Sequence, residues 1–108
     1  MTDQVIYEFH FTDCLLDYAK FYALKLKKMK FINCSLIAAD FMSSDLTEVL
    51  FDNCNLRRAV FIDTIANKTD FYTSYDYTID PEKNKLKKAV FSTDGLKGLL
   101  EKYNLVIK

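Results

Sequence analysis

Apolar residues recur along the chain at every fifth position. Of Ile6, Phe11, Leu16, Phe21, Leu26, Phe31, Leu36, Phe41, Leu46, Phe51, Leu56, Phe61, Ala66 and Phe71, thirteen of fourteen are Phe, Leu or Ile; chance would place about four there. Phe and Leu alternate without a break from Phe11 to Phe61. Neither the helical period of 3.6 nor the strand period of 2 produces this spacing. The residues two places earlier, such as Cys14, Ala19, Ala39, Ser44, Ala59 and Thr64, are mostly small and uncharged, with Leu24 and Met29 larger. Two residues of every five therefore point inward, as alternate residues of a short extended segment do. The charges fall on the other three, as at Lys25, Lys27 and Lys28 or at Arg57 and Arg58. Each unit is predicted to be a very short strand followed by a corner.

A second period of twenty sets how the units stack. Cys14, Cys34 and Cys54 are twenty residues apart, as are Ala19, Ala39 and Ala59, and Phe11, Phe31, Phe51 and Phe71. Four units per turn make a square coil, and coils stacked at about 4.8 Å would place like side chains in columns. Large Phe rings facing small Cys or Ala fill such an interior without voids. The predicted fold class is an all-β solenoid in a single domain. The two glycines and one proline all lie in the last 28 residues, too few for a meander of ordinary hairpins.

Regular repeats are predicted over about residues 5–75, with an irregular last coil over 76–92, so that 1–92 forms the β-helix. Tyr75 to Asn84 is polar and contains Pro81, which reads as a loop, yet Leu86, Ala89 and Phe91 regain the register. Beyond it, Ser92 or Thr93 is placed to cap a short α-helix from Asp94 to Tyr103, with Leu96, Leu99, Leu100 and Tyr103 on one side. Gly95 and Gly98 weaken that helix, so it needs something to pack on. The tail from Leu105 to Lys108 reads as a strand-like end. Residues 93–108 are predicted to be a dimerisation element, because Leu96, Leu99, Leu100, Tyr103, Leu105 and Ile107 would be costly to expose in a monomer.

Charge adds little at this level. Fifteen basic and fifteen acidic residues give a net charge of zero, so neither direct nucleic-acid binding nor an anionic membrane is expected. By coil, residues 10–29 carry net +2, 30–49 net −2 and the next coil about +1; alternating bands attract, though exposed pairs contribute little each. No apolar run approaches the roughly 18 residues of a membrane span. The first residues show no basic, apolar leader pattern, and three cysteines suit a reducing cytoplasm.

Candidate chemistry is sparse. The cysteine column lacks the convergence of a zinc site and its parallel Cβ vectors are poorly set for a disulfide, which leaves small core filler. His10, the single histidine, sits at an outward corner without an orienting partner. Asp40, Asp45 and Glu48 read as a solvated surface rather than an acid–base pair. Tyr18, Tyr22, Tyr72, Tyr75 and Tyr77 fall at outward or loop positions. No phosphate loop, zinc spacing or basic–aromatic signature occurs. The expectation is a non-enzymatic protein without metal or cofactor.

The units Cys34-Ser-Leu-Ile-Ala, Ala39-Asp-Phe-Met-Ser, Ser44-Asp-Leu-Thr-Glu, Cys54-Asn-Leu-Arg-Arg and Thr69-Asp-Phe-Tyr-Thr resemble the pentapeptide-repeat family, whose units read A(D/N)LxX. That resemblance implies a right-handed quadrilateral β-helix. The stretch from Ile79 to Ser92, followed by Gly-Leu-Lys-Gly-Leu-Leu, is similar to the C-terminus of the Qnr-like, fluoroquinolone-resistance-related branch. Its members are about twice this length and dimerise through the C-terminal coil and helix, so the chain resembles their C-terminal half. A highly regular core without site chemistry, with its apolar C-terminal stripe, points to a rigid dimeric rod that binds a protein partner; the resemblance implies instead a DNA mimic that protects DNA gyrase and topoisomerase IV from quinolones. A mimic should carry about one negative charge per 1.7 Å. This neutral chain, with lysines clustered at 25–30 and 83–88, is expected not to do so.

Overall fold

The computed structural model describes residues 10–108. The expectations placed on Met1 to Phe9, including a first repeat at Ile6 and the missing leader pattern, lie outside the described residues. Three strands, β1 (His10–Thr12), β2 (Lys30–Ile32) and β3 (Leu50–Asp52), form a parallel sheet in that order. Phe11 pairs with Phe31, and Phe31 with Phe51, a register of twenty. Between the strands, isolated parallel bridges fall every five residues at the same offset: Leu15 with Ser35, Lys20 with Asp40, Lys25 with Asp45. Neighbouring residues bond to opposite sides. Ser35 N donates to Cys14 O at 3.0 Å, and Leu36 N to Asn55 O at 2.9 Å. Each coil is thereby hydrogen-bonded both to the coil before it and to the coil after.

The corners are tight turns. Ala19 N donates to Leu16 O, Ala39 N to Leu36 O and Ser44 N to Phe41 O. The third residue of each turn is left-handed, as in Tyr18 (φ 65), Ala38 (φ 58) and Ser43 (φ 60), which is type II geometry. No glycine occupies any of these corners. Asp13, Asn33, Asn53 and Asp63 suit the conformation best, since short polar side chains tolerate it. Asn33 and Asn53 also form a ladder: Asn33 Nδ2 donates to Asp13 Oδ1, and Asn53 Nδ2 to Asn33 Oδ1 at 2.9 Å.

The interior is built of two phenylalanine columns. Phe11, Phe31, Phe51, Phe71 and Phe91 stack with centroids 5.3, 5.1, 5.2 and 5.0 Å apart. Phe21, Phe41 and Phe61 form the second column, and the two columns meet edge-on, as at Phe41–Phe51 (82°). Stacked and edge-on rings each add about 0.5–1.5 kcal/mol beyond the area they bury. Leu36, Leu46 and Leu56 are fully buried between them. Leu24, expected inward, is 47% exposed. It stands in the first described coil, where no described residue packs above it.

The small inward residues carry more than volume. Cys34 Sγ donates to Phe11 O at 3.2 Å, Cys54 Sγ to Phe31 O at 3.2 Å, Thr64 Oγ1 to Phe41 O at 2.9 Å, and Ser74 Oγ to Phe51 O at 2.6 Å. Each bonds a backbone carbonyl twenty-three residues earlier, in the preceding coil.

One side of the last coil departs from the rule. Asn55 bridges Tyr75 and Ile65 bridges Lys85, but no bridge pairs Val60 with a later coil. Instead a short 3₁₀ turn over Pro81–Lys83, capped by Asp80, occupies that side. Asn84 mends it: its amide donates to Phe61 O at 2.8 Å and Asp80 O at 2.9 Å, and its Oδ1 accepts from Thr64 N at 2.9 Å. Tyr77, expected at an outward or loop position, is buried with Ile79. The break in period lets this odd-numbered side chain turn into the space beside Phe71 and Phe91, whose rings lie 5.6 Å from it.

The C-terminal α-helix is not formed. Two 3₁₀ turns, Leu96–Leu99 and Glu101–Tyr103, take its place, and Asn104 (φ 51) ends the second. Helix-weakening Gly95 and Gly98 face Tyr77, with Gly98 O accepting from Ile79 N at 3.0 Å; close contact with the last coil, not helical propensity, sets the path. Residues 105–108 are exposed and form no strand.

Candidate interaction surfaces

The residues with catalytic potential are dispersed. His10 is exposed at the start of β1. Asp40 Oδ1 accepts from Met42 N, and Asp45 Oδ1 from both Thr47 N and Thr47 Oγ1, so both brace corners. Glu48 stands 3.9 Å from Lys28 across two coils. The cysteines form no disulfide. Burial pushes the Cys54 thiol up to about 11 and raises that of Cys34. A thiol held protonated is a poor nucleophile and a poor metal ligand. No group of three metal-ligating side chains converges among the described residues.

The C-terminal segment is fastened to the last coil. Lys102 Nζ lies 3.2 Å from Asp80 Oδ1 and also contacts Glu82. The Asp80 carboxyl is held below the usual range, first by the Glu82 N–H and then by Lys102, while Glu82 raises Lys102. Inside the joint, Tyr77 Oη is buried without a hydrogen-bond partner. Burial raises its pKa; the Ser92 hydroxyl tempers the shift without meeting hydrogen-bond geometry. An open groove of about 540 Å³ runs along the joint, with Arg57, Asp76, Lys97 and Glu101 on its walls. This groove was not legible in the sequence, because it depends on where Tyr77 turns.

Of the six residues expected at a dimer interface, five are exposed: Leu96, Leu100, Tyr103, Leu105 and Ile107. Leu99 is half-buried and packs on the core. Leu100, Leu105 and Ile107 line one shallow groove of about 220 Å³, which Leu96 and Tyr103 do not reach. A second exposed apolar group, Leu15, Tyr18, Tyr22 and Leu24, lies in the first described coil. Tyr72 and Tyr75 are exposed as expected. No helix among the described residues is long and apolar enough to cross a membrane.

A solved structure shares this architecture. Full-length QnrB1, a plasmid-mediated fluoroquinolone resistance protein, superposes with a TM-score of 0.73 at 16% identity, over 87% of this chain and 44% of that one. At this identity the likeness is one of fold, and the chain spans less than half of QnrB1. Rfr23, a pentapeptide repeat protein of the cyanobacterium Cyanothece 51142, matches at 17% identity over 79% of this chain and 61% of its own, with a TM-score of 0.33. No curated protein matches in sequence. The profile of the pentapeptide repeat region matches residues 3–61. With that match over more than half its length, and with a five-residue inward period stacked at an offset of twenty, the chain belongs to the pentapeptide-repeat family.

Proposed function

We propose that the protein is a non-enzymatic interaction module, a rigid rod that pairs with a second copy and offers its faces to a protein partner. In this reading residues 1–92 form a right-handed quadrilateral β-helix with four pentapeptides per coil. Residues 93–108 form the dimerisation element, through Leu96, Leu99, Leu100, Tyr103, Leu105 and Ile107, and the protein works in a reducing cytoplasm, a reading that the three free thiols support. The observation that carries the reading is the exposure of Leu105 and Ile107, each 57%, beside Leu100 on one groove. Burying such a cluster against its own copy removes apolar surface from water. Sedimentation is expected to give a dimer at micromolar concentration, and Leu100→Asp with Leu105→Asp a folded monomer. A wild-type monomer at high micromolar concentration overturns the reading.

The fold likeness to QnrB1 favours a second reading, protection of a type II topoisomerase from quinolones by a DNA-like rod. The neutral charge opposes it, since duplex DNA carries about one charge per 1.7 Å. The expected result is no rescue of gyrase supercoiling under quinolone; clear rescue at stoichiometric protein establishes the second reading instead.

A further inference from the structure

Counted by coil the charges nearly cancel, but along the stacking direction they do not. The bridges Lys25–Asp45, Asp45–Ile65 and Ile65–Lys85 stack segments 25–28, 45–48, 65–68 and 85–88 over one another. The bonds from Lys28 N to Thr47 O, Glu48 N to Asn67 O and Lys68 N to Lys87 O carry the stack across the face. Its first row holds Lys25, Lys27 and Lys28, and its fourth row Lys85, Lys87 and Lys88, with Lys68 in the third. Seven of the fifteen basic residues of a neutral chain thus share one face with two carboxylates, Asp45 and Glu48 in the second row. All seven lysines are exposed. The Lys28–Glu48 pair on this face is solvent-exposed at 3.9 Å and neutralises little.

The two lysine triads stand three rows apart, about 14 Å at the usual row spacing, with the carboxylates between them. A lipid surface or an acidic peptide running the length of the stack would press on those carboxylates. A B-form duplex instead offers two phosphate rails separated by a major groove about 12 Å wide. The rails meet the triads while the carboxylates face the groove. The other outward residues, Thr47, Ile65 and Asn67, provide no ring to stack on a splayed base and no wedge for a bilayer. We propose that this face docks duplex DNA through its phosphates, without reading sequence. The expectation of no direct nucleic-acid contact rested on net charge, which hides a face of this kind.

The test is fluorescence anisotropy of a labelled duplex of about 20 base pairs with the full chain, from about 50 to 200 mM salt. Saturable binding is expected, with a log–log salt slope of about −4, the value for four to five neutralised phosphates. Lys85→Gln, Lys87→Gln and Lys88→Gln together are expected to weaken binding at least about tenfold and to halve that slope. Lys30→Gln with Arg58→Gln, off the face, is expected to change binding less than about twofold. Asp45→Asn with Glu48→Gln is expected to strengthen it. The proposal is overturned by no binding at low salt, by equal affinity for the single strand, or by equal competition from polyglutamate or phosphatidylserine vesicles. An equal loss in the off-face variant overturns it too. Sedimentation of the same samples reads the dimer independently, so the two proposals can fail separately.

Discussion

The backbone carbonyl of Tyr77 occupies the space that a Cβ on Gly98 would need, 2.2 Å from its ideal position. Gly98 has no left-handed backbone angle, so close approach alone requires the glycine. The obstacle is backbone, which cannot swing aside as a side-chain tip can. Gly98→Ala is expected to cost about 2 kcal/mol, within the range of overpacked sites, and to loosen the terminal 3₁₀ turns. Chemical denaturation and amide exchange at Ile79, whose N–H is held by Gly98 O, measure the two effects.

Tyr77→Phe should behave in the opposite sense. The hydroxyl it removes is buried without a partner, and an unsatisfied buried polar group costs about 1–3 kcal/mol. The variant is expected to be as stable as the wild type or more so; a loss above about 1 kcal/mol would reveal a hydrogen bond that the geometry does not contain.

Asn84 substitutes for a missing row of backbone bonds, with two donors on carbonyls and one acceptor on an N–H. Asn84→Ala is expected to cost about 2–3 kcal/mol by leaving these groups unpaired. Asn84→Asp should be nearly as damaging, because a carboxylate keeps only the bond to Thr64 N and turns an oxygen toward Phe61 O and Asp80 O. Thermal melts of the two variants check the order.

Cys54 links stability to alkaline pH. Its thiol is raised from 9.0 to about 11, chiefly by burial. Below pH 9 both folded and unfolded thiols are protonated, and the stabilisation is fully present. Between 9 and about 11 the unfolded chain loses its proton while the folded one keeps it, so stability falls as pH rises. Cys54→Ser is expected to flatten that fall while retaining a donor to Phe31 O, as Ser74 does to Phe51 O. Denaturation midpoints from pH 8 to 11 in both proteins measure it.

The left-handed corners hold unused stability. Ala23 is exposed at φ 59, where a non-glycine residue costs about 1–2 kcal/mol and glycine loses part of that in chain entropy. Ala23→Gly is expected to stabilise by up to about 1 kcal/mol, and Ala23→Val to destabilise by more than that. Urea unfolding of the pair settles the sign.

The five-residue period determined which side chains enter the core from Phe31 to Ser74. Inward and outward are local consequences of a repeated short strand and corner, and each coil repeats the problem solved by the last. The cysteines were legible as interior residues for the same reason, but the bonds of Cys34 and Cys54 to carbonyls twenty-three residues earlier were not, since they join groups that only stacking brings together. Where the repeat lapses, the local rule has nothing to act on. Tyr77 turned inward, Gly98 closed on its carbonyl, and the stripe that read as an α-helix became two 3₁₀ turns, because the space left by the irregular side decides what fits there. The lysine face belongs to the same class: its residues lie sixty places apart, and only the stacked coils bring their charges onto one surface.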